Sequence, residues 1–529
     1  MTRFAIIIIT VLALAVRLYS SNYPPLLWDE ASIGYNAYSI LKTGKDEYGT
    51  TLPLVFKSFG DYKPGLYVYL TVPFVALFGL NSLSVRLPSI ILGSLLPLIA
   101  YLLVLKLSPK SKTIALLTAI LLAFNPWNIH FSRGAWETNI LLFELTLASL
   151  LFINQKIVWS SIMFGLTFYT YQGGKIMTPL LLSILFFTHL SLFKSFKNIF
   201  KLALPLILLA VPILYGLVTQ NDSNRLSVFA LWNYHRPAND ISQIVGEGND
   251  LNFSLFHNEA IFFTQNFLTR YFNHFSPKFL LFEGDWQIQR HSAPYIGVIL
   301  YPSIIFILLG IFSTLSTSLK KPGLIFFLWL LISPLPGALT RDIIQPVRTL
   351  SLSIPLMYFA AKGIVFTLSK IPQKLYHFFY FLLFTFYFFS FVYYSDLYYN
   401  HLTKITPSHL LYGYSQAAQY VIDRGKDKQV TFTDFYGQPY IYYLFYSKYP
   451  PKNYQSQANL SVSGQDTGKI LKIDNIKFEV PSFSYQKTLP GQVLILSYDD
   501  AIRQGIDLKT LTPLSPINNT STFYAYETN

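Results

Sequence analysis

The sequence predicts a polytopic α-helical membrane protein that ends in a small α/β domain. Hydrophobic residues make up 52% of the 529 positions and charged residues only 12%, whereas a soluble domain averages about 25% charged residues. Apolar segments recur as far as position 394, and the pattern then becomes a mixture of helix-like and strand-like stretches. We therefore interpret the net charge of +14 as topology information and predict no nucleic-acid partner.

Eleven segments are predicted to cross the membrane, several of them near the lower limit of about 17 residues. The first, 4–19, is predicted to be an uncleaved span, because many further spans anchor the chain. Segment 64–80 contains two prolines and is predicted to be interfacial or re-entrant. The other ten predicted spans are 85–105, 113–128, 138–153, 157–171, 176–193, 202–219, 295–316, 322–338, 349–368 and 375–394.

Lysines in five loops predict the topology by the positive-inside rule. If the N-terminus is cytoplasmic, all five predicted inner loops are basic, and the chain after residue 395 is extracytoplasmic. The predicted domains are thus a membrane domain, 1–395, and an extracytoplasmic α/β domain, 396–529. The membrane domain includes two long outer loops, 20–84 and 220–294.

The tail shows patterns of both helix and strand. Residues 409–423 have helical spacing of apolar side chains, and 429–434, 476–480 and 493–497 alternate as strands do. A tyrosine-rich apolar run, 438–446, lies between the first two strands.

The first outer loop carries an acidic pair, Asp29 and Glu30, directly after aromatic residues typical of the headgroup level. A partly desolvated carboxylate there can serve as a base. Alternatively, Asp29 caps a helix over 31–41 and Glu30 lies in its first turn, where both suit the helix dipole. The apolar side of this helix predicts that it lies on the membrane surface.

The same loop ends in Asp61, Tyr62 and Lys63, and Arg86 opens the next span. A lysine at the interface can pair with a lipid phosphate. The alternative is that both cations only extend toward lipid headgroups.

Two other outer segments carry candidate residues. Arg133 and Glu137 lie in a short turn, where they either bind substrate or form a structural pair at i, i+4. His291 with Asp285, near the end of the long loop, suggests acid–base or metal chemistry. No residues at metal-ligand spacing support a metal, so we predict no cofactor and leave a divalent metal open.

Several motifs together resemble the first two outer loops of GT-C glycosyltransferases, in particular the bacterial family related to protein O-mannosyltransferases and the aminoarabinose transferase of lipid A. They include Arg17, Trp28-Asp-Glu-Ala, Gly60-Asp-Tyr-Lys-Pro, Arg86-Leu-Pro-Ser and Ser132-Arg-Gly-Ala with Glu137. Lys-Pro-Gly stands where Lys-Pro-Pro is common, which loosens the turn after Lys63.

The resemblance implies sugar transfer from a polyprenyl-phosphate carrier to a glycan, lipid or protein acceptor on the outer face of the cell membrane. It implies that Asp29 is the catalytic carboxylate with Glu30 as its neighbour. Lys63 becomes a carrier-phosphate ligand, and Arg133 a phosphate or substrate contact. One base without a second acid fits inversion, because a phosphate leaves without being protonated.

Two other classes of function remain open at this point. A transporter or flippase would place charges within spans, as Glu144 and Lys362 are. A polymerase or ligase of lipid-linked glycans would share the topology and the carrier. The acidic pair after the first span favours the transferase over both.

Overall fold

A computed structural model describes residues 2–219, 255–316, 320–462, 468–518 and 520–528. The chain forms two compact units, each built from several segments. The first unit comprises Met1–Ala13, Gly93–Phe131 and Leu141–Tyr394, and the second comprises Leu14–Leu92, Ser132–Ile140 and Ser395–Asn529. The tail after residue 395 thus folds in one unit with the first outer loop.

Within the described ranges, five helices are long and apolar enough to cross a membrane, and up to six if a pair bent by 53° forms one span. The five are Ser82–Leu107, Phe196–Ile213, Lys321–Ala338, Leu350–Leu368 and Gln373–Ile405; the bent pair is Lys112–Ala123 with Pro126–Arg133. A membrane protein is therefore confirmed, and the count of eleven spans stays a prediction.

Shorter helices cover the other apolar segments of the described chain. Helix Leu66–Phe78 has 13 residues, fewer than a crossing needs, and its interfacial position stays a prediction. Residues 295–302 precede the helix there, so that predicted span began too early. The remaining helices up to residue 405 are Thr2–Leu18, Glu137–Ile153, Ile157–Thr170, Gly174–Thr188, Glu259–Asn273 and Ser303–Ser316.

The tail contributes a six-stranded mixed sheet to the second unit, in the order Lys472–Ile473 (β6), Ile476–Phe478 (β7), Gln429–Phe432 (β3), Gln492–Ser497 (β8), Phe523–Glu527 (β12) and Thr512–Pro513 (β9). Strand β3 is parallel to β7 and β8, since Val430 pairs with Ile476 and Val493, while β12 runs antiparallel to β8. The strands are β3 Gln429–Phe432, β4 Leu460–Val462, β5 Gly468–Ile470, β6 Lys472–Ile473, β7 Ile476–Phe478, β8 Gln492–Ser497, β9 Thr512–Pro513, β10 Pro516–Ile517, β11 Thr520–Ser521 and β12 Phe523–Glu527.

Helices cover this sheet and complete the unit. The predicted strands at 429–434, 476–480 and 493–497 are confirmed, and the predicted helix at 409–423 begins later, at Tyr414. The helices of the tail are Tyr414–Arg424, Pro439–Ser447, Pro451–Gln457, Phe483–Gln486 and Tyr498–Arg503. The tyrosine-rich run is therefore a helix.

The first outer loop folds as helix Trp28–Thr43, a hairpin of β1 (Val55–Ser58) and β2 (Asp61–Pro64), and helix Leu66–Phe78. Ten of the sixteen residues of the first helix are buried within the second unit, so protein covers its apolar side, and its position on the membrane surface stays a prediction.

The tail covers that helix directly. The hydroxyl of Tyr35 donates to the carbonyl of Tyr449 at 3.0 Å, and that of Tyr442 donates to the carbonyl of Leu26 at 3.0 Å. A Cβ at Gly34 would lie 2.6 Å from the ring of Phe445. The tail and the first outer loop therefore share one apolar core.

Candidate active site

Asp29 lies in the first turn of helix Trp28–Thr43, where the positive end of the helix dipole favours a carboxylate. The helix begins at Trp28 and Leu27 precedes it, so the alternative that Asp29 is the N-cap is wrong. Instead Oδ2 accepts a hydrogen bond from Nε1 of Trp28 at 3.1 Å, and Oδ1 pairs with Nζ of Lys63. The side chain of Asp29 remains 31% exposed.

A tight hairpin brings Lys63 to this carboxylate. Phe59 and Gly60 link its strands with φ of +54° and +89°, and two positive φ values in succession fit the twist of a two-residue hairpin. Lys63 is paired with Phe56 across the strands, and its Nζ lies 5.5 Å from the ring centroid of Phe59.

Burial and the neighbouring carboxylates shift the pKa of Lys63 in opposite directions. Burial acts to lower the pKa of Lys63, but the carboxylates of Asp29, Glu137 and Asp61 outweigh it and raise the pKa above its ordinary value. Lys63 is therefore a cation at neutral pH and is 20% exposed.

The hairpin places the side chains of Asp61 and Tyr62 on opposite faces. Asp61 lies across from Ser58 and on the face of Lys63, whereas Tyr62 lies across from Lys57 on the opposite face. Asp61 Oδ1 accepts the backbone N–H of Tyr62 at 2.7 Å.

Asp29, Lys63 and Glu137 line one cleft. Glu137 begins its helix, so it too benefits from a helix dipole. The rest of the lining is Ser32, Ile33, Asn36, Phe56, Ser58, Pro64, Tyr67 and Val68. The cleft thus has two carboxylates, one ammonium group, three small polar side chains and five apolar or aromatic ones.

Glu30 points away from this chemistry and forms a buried ion pair with Arg86. Its Oε1 accepts Nε of Arg86 at 2.8 Å and the N–H of Ala135 at 2.8 Å. Its Oε2 accepts Nη2 of Arg86 at 2.7 Å and the N–H of Leu27 at 3.0 Å. Four donors therefore occupy this carboxylate, and they tie two segments of the second unit together, Leu14–Leu92 and Ser132–Ile140.

Arg133 likewise holds the backbone. It is fully buried, and its guanidinium carbon lies 5.0 Å from the ring centroid of Tyr399. Its terminal nitrogens donate at 2.6–3.1 Å to five carbonyls, those of Val16, Arg17, Tyr19, Ser20 and Tyr23. These contacts fix the segment that leads to Asp29, and a substrate contact by Arg133 stays a prediction.

His291 belongs to the first unit, unlike the other predicted site residues. Its Nδ1 lies 2.8 Å from Oδ2 of Asp285, and both side chains are buried. Burial lowers the pKa of His291 although the Asp285 carboxylate opposes the shift. The imidazole is therefore neutral at pH 7.

Glu47 was missed by the sequence reasoning. It is fully buried, and its Oε1 accepts Nδ2 of Asn36 at 2.9 Å and Oγ of Ser32 at 3.5 Å. No described residue donates to Oε2. Burial raises the pKa of Glu47 to about 8, so it is mostly protonated at neutral pH. The signal was available, because Ser32, Asn36 and Ser39 form a polar stripe at spacings of four and three on an apolar helix.

Among the described residues, no group of three or more His, Asp or Glu side chains could hold a metal ion.

The fold is similar to that of the GT-C membrane glycosyltransferases. Residues 7–168 match the family model for dolichyl-phosphate-mannose-protein mannosyltransferase, less than a third of the chain. Comparison with curated protein sequences returns no match.

Solved structures match along most or nearly all of the chain. ArnT from Cupriavidus metallidurans in the apo state has a TM-score of 0.54 at 13% identity, with 98% of this chain and 97% of that chain covered. The same protein bound to undecaprenyl phosphate has a TM-score of 0.51 at 12% identity, again with 98% of this chain and 97% of that chain covered. The Archaeoglobus fulgidus oligosaccharyltransferase in the apo form gives 0.45 at 13% identity over 84% of this chain and 64% of that chain. The resemblance stated from the sequence is confirmed, and so is the GT-C type of membrane fold, while the number of membrane helices and the separate C-terminal domain stay predictions.

Proposed function

We propose that this protein transfers a sugar from a polyprenyl-phosphate carrier to an acceptor hydroxyl at the outer face of the membrane. The observation that carries the proposal is the pairing of Asp29 with Lys63 in an open cleft. A carboxylate and an ammonium group side by side supply the two needs of this reaction, a base for the acceptor and a cation for the departing phosphate. The family match and the lipid phosphate named in one ArnT structure agree with this reaction class.

Lys63 receives the carrier phosphate in this scheme. The phosphodiester of the donor carries one negative charge and gains a second as its bond to the sugar breaks, so it competes with the carboxylate of Asp29 for the ammonium group. Donor binding therefore draws Lys63 toward the phosphate and releases Oδ1 of Asp29. The base is freed only when the donor is present.

Asp29 then accepts the proton of the acceptor hydroxyl. The acceptor oxygen bonds to the anomeric carbon while the bond from that carbon to the phosphate oxygen breaks, and its electron pair leaves with the phosphate. One displacement inverts the anomeric centre, and no second acid is required because the phosphate leaves as an anion. The products are the glycosylated acceptor, polyprenyl phosphate and a protonated Asp29.

The remaining side chains of the cleft suit a sugar. Ser32, Asn36 and Ser58 present hydroxyl and amide groups, and the Ser32 and Ser58 oxygens lie 3.2 Å apart. Such groups bind sugar hydroxyls by hydrogen bonds. Glu137, which lines the same cleft, is a second contact for substrate.

Topology completes the proposal. The N-terminus is cytoplasmic, and residues 20–84 and the tail after 395 are extracytoplasmic, so the cleft meets carriers presented outside. The acceptor is a glycan, a lipid or a protein.

The test reconstitutes the purified protein in liposomes with polyprenyl-phosphate sugars and envelope glycan, lipid and protein fractions. We expect a labelled product and an equal amount of released polyprenyl phosphate. Mass spectrometry of carrier lipids from cells with and without the protein names the donor as the carrier-linked sugar that accumulates. Movement of the intact lipid-linked sugar across the vesicle without cleavage would support a flippase instead.

A further inference from the structure

Gly437, in the turn after β3, packs against the indole of Trp28. Its φ is +132°, in a region that favours glycine. A Cβ at this position would lie 1.9 Å from Cζ3 and 2.6 Å from Cε3 of Trp28. Only glycine therefore allows the tail to approach the tryptophan so closely.

The same indole contacts Phe59 of the hairpin, with ring centroids 6.2 Å apart. Phe59 in turn contacts Tyr440 of the tail at 6.0 Å, and its carbonyl accepts the N–H of Gly468. Gly437, Phe59 and their neighbours thus restrain Trp28 from both the tail and the hairpin.

Trp28 in turn contacts the carboxylate of the next residue, Asp29. Its Nε1 donates to Oδ2 of Asp29 at 3.1 Å, while Lys63 occupies Oδ1. When a donor phosphate draws Lys63 away, the tryptophan contact remains to orient Asp29.

We propose that Gly437 and Trp28 are positioning residues through which the tail sets the orientation and basicity of Asp29. The inference rests on the proposed role of Asp29 as the base. It gives the extracytoplasmic α/β region a task in catalysis, which is to hold the carboxylate.

Two substitutions break the connection at different points. Gly437→Ala introduces a methyl group into the ring and displaces Trp28, whereas Trp28→Phe keeps an aromatic ring but removes the N–H donor. A hydrogen bond to a carboxylate lowers its pKa, so its loss raises the pKa of Asp29. The other charged groups near the carboxylate, Lys63, Glu137 and Asp61, are unchanged in both variants.

We expect both variants to lower kcat by about tenfold with little change in the KM for the donor, in the lower part of the range for a misplaced catalytic group. The acidic limb of the pH–rate profile should move to higher pH in both. Gly491→Ala is the matched control, because Gly491 lies in the same segment with φ of +63° and has no atom within 4 Å of a Cβ. It places a methyl group at a positive φ without the contact, although at a less strained φ than that of Gly437, and it should leave kcat and the pH profile unchanged. Trp28→Phe leaves the backbone of residue 437 unaltered and therefore separates the contact from backbone strain.

A second readout does not depend on activity. In [¹⁵N-indole]tryptophan-labelled protein, seven indole N–H signals are expected, and the one that Trp28→Phe removes belongs to Trp28. We expect this signal to titrate with Asp29 in the wild type, to lose that titration in Asp29→Asn and to shift in Gly437→Ala but not in Gly491→Ala.

The outcomes separate the two proposals. A wild type that transfers no sugar would overturn the proposed function, whereas the indole signal would still support or refute the contact. Active Gly437→Ala and Trp28→Phe proteins with the wild-type pH profile would overturn the positioning role. A loss in Gly437→Ala that Gly491→Ala shares would also overturn it, since the effect would then be strain alone.

Discussion

Arg86 and Glu30 meet in a two-point ion pair that excludes solvent, with Nε to Oε1 at 2.8 Å and the second terminal nitrogen to Oε2 at 2.7 Å. Their side chains are 0% and 4% exposed. The neighbouring carboxylate, on Asp29, is 31% exposed and faces the cleft. Adjacent acidic residues therefore have different tasks: Glu30 holds the structure, and Asp29 is available for chemistry.

Glu30→Gln is expected to destabilise the protein strongly. Removing one partner of a buried ion pair leaves the other charge uncompensated and typically costs about 3–5 kcal/mol. Thermal unfolding in detergent measures the loss. The control is Glu283→Gln, whose partner Lys278 lies 3.4 Å away with both side chains about half exposed; pairs of this kind contribute roughly 0–1 kcal/mol. Equal stability of the two variants would contradict the structural role of Glu30.

Lys63→Ala is expected to weaken the use of the donor more than the fold. The ammonium group is partly exposed and lines the cleft, so its removal takes little packing but deprives the phosphate of its cation. The KM for the lipid-linked sugar should rise at least tenfold, as measured in liposomes.

Lys57→Ala is the matched control, because Lys57 lies on the same hairpin with its side chain on the opposite face. If the KM of Lys63→Ala is unchanged, Lys63 does not bind the donor phosphate and only contacts lipid headgroups.

Glu47→Gln is expected to stabilise the protein at alkaline pH. The pKa of Glu47 is raised from 4.5 to about 8 by burial, with Asp46 adding to the shift and Asn36 and Lys63 opposing it. The folded state thus binds more protons than the unfolded state between these values, and stability falls as pH rises through this window, by at most about 1.4 kcal/mol per unit.

Glutamine is neutral throughout, so the variant should lack this decline. Thermal unfolding between pH 4 and 9 gives the difference between wild type and variant. Parallel curves for the two proteins would show that Glu47 is not held neutral by the fold.

A reporter fused after Asn529 is expected to be active only outside the cytoplasm. The motivation is that all five predicted inner loops carry lysine. Fusions after Lys156 and after Lys374 serve as controls, since both sites are predicted to be cytoplasmic. A reporter at the C-terminus that works in the cytoplasm would reverse the topology and place the cleft on the wrong side for the proposed donor.

Local patterns were sufficient to predict much of the fold. The strands at β3, β7 and β8 and the helix after Trp28 follow from spacing alone, because alternation and helical periodicity are properties of short segments. The burial of that helix by the tail was not predicted, because contacts such as that of Tyr35 with Tyr449 join residues more than 400 positions apart and no local pattern encodes them.

Part of the candidate site could also be predicted from the sequence. Asp29 and Lys63 were found as unusual charges at a membrane boundary, and the hairpin brings them together. The buried positions of Arg86 and Arg133 were not predictable, since a cation at the start of a span looks the same whether it meets lipid phosphate or a carbonyl. Gly437 was missed because a glycine's role depends on what its absent side chain would touch.

Asp29→Asn is the decisive substitution for the proposed mechanism. Asparagine has nearly the same volume, and its Oδ1 can still accept the N–H of Trp28, but it is neither a base nor a partner for the charge of Lys63. Loss of a general base typically reduces the rate by 10²–10⁴-fold, so we expect sugar transfer to fall at least about 100-fold. The ion pair that is lost is partly exposed, and pairs of this kind contribute about 1 kcal/mol or less to stability, so the variant should remain folded.

The neighbouring carboxylate supplies the control for this prediction. Glu137 lines the same cleft, and Glu137→Gln should reduce transfer much less than Asp29→Asn does if Glu137 only contacts substrate. Initial rates with a polyprenyl-phosphate donor, measured beside thermal unfolding, compare the two variants directly. A large loss in Glu137→Gln with near-normal transfer by a folded Asp29→Asn protein would show that Glu137 is the base and that Asp29 is not. Normal transfer by both variants would remove the acidic cleft from the mechanism, because no titratable carboxylate on the cleft lining would then be needed to accept the acceptor's proton.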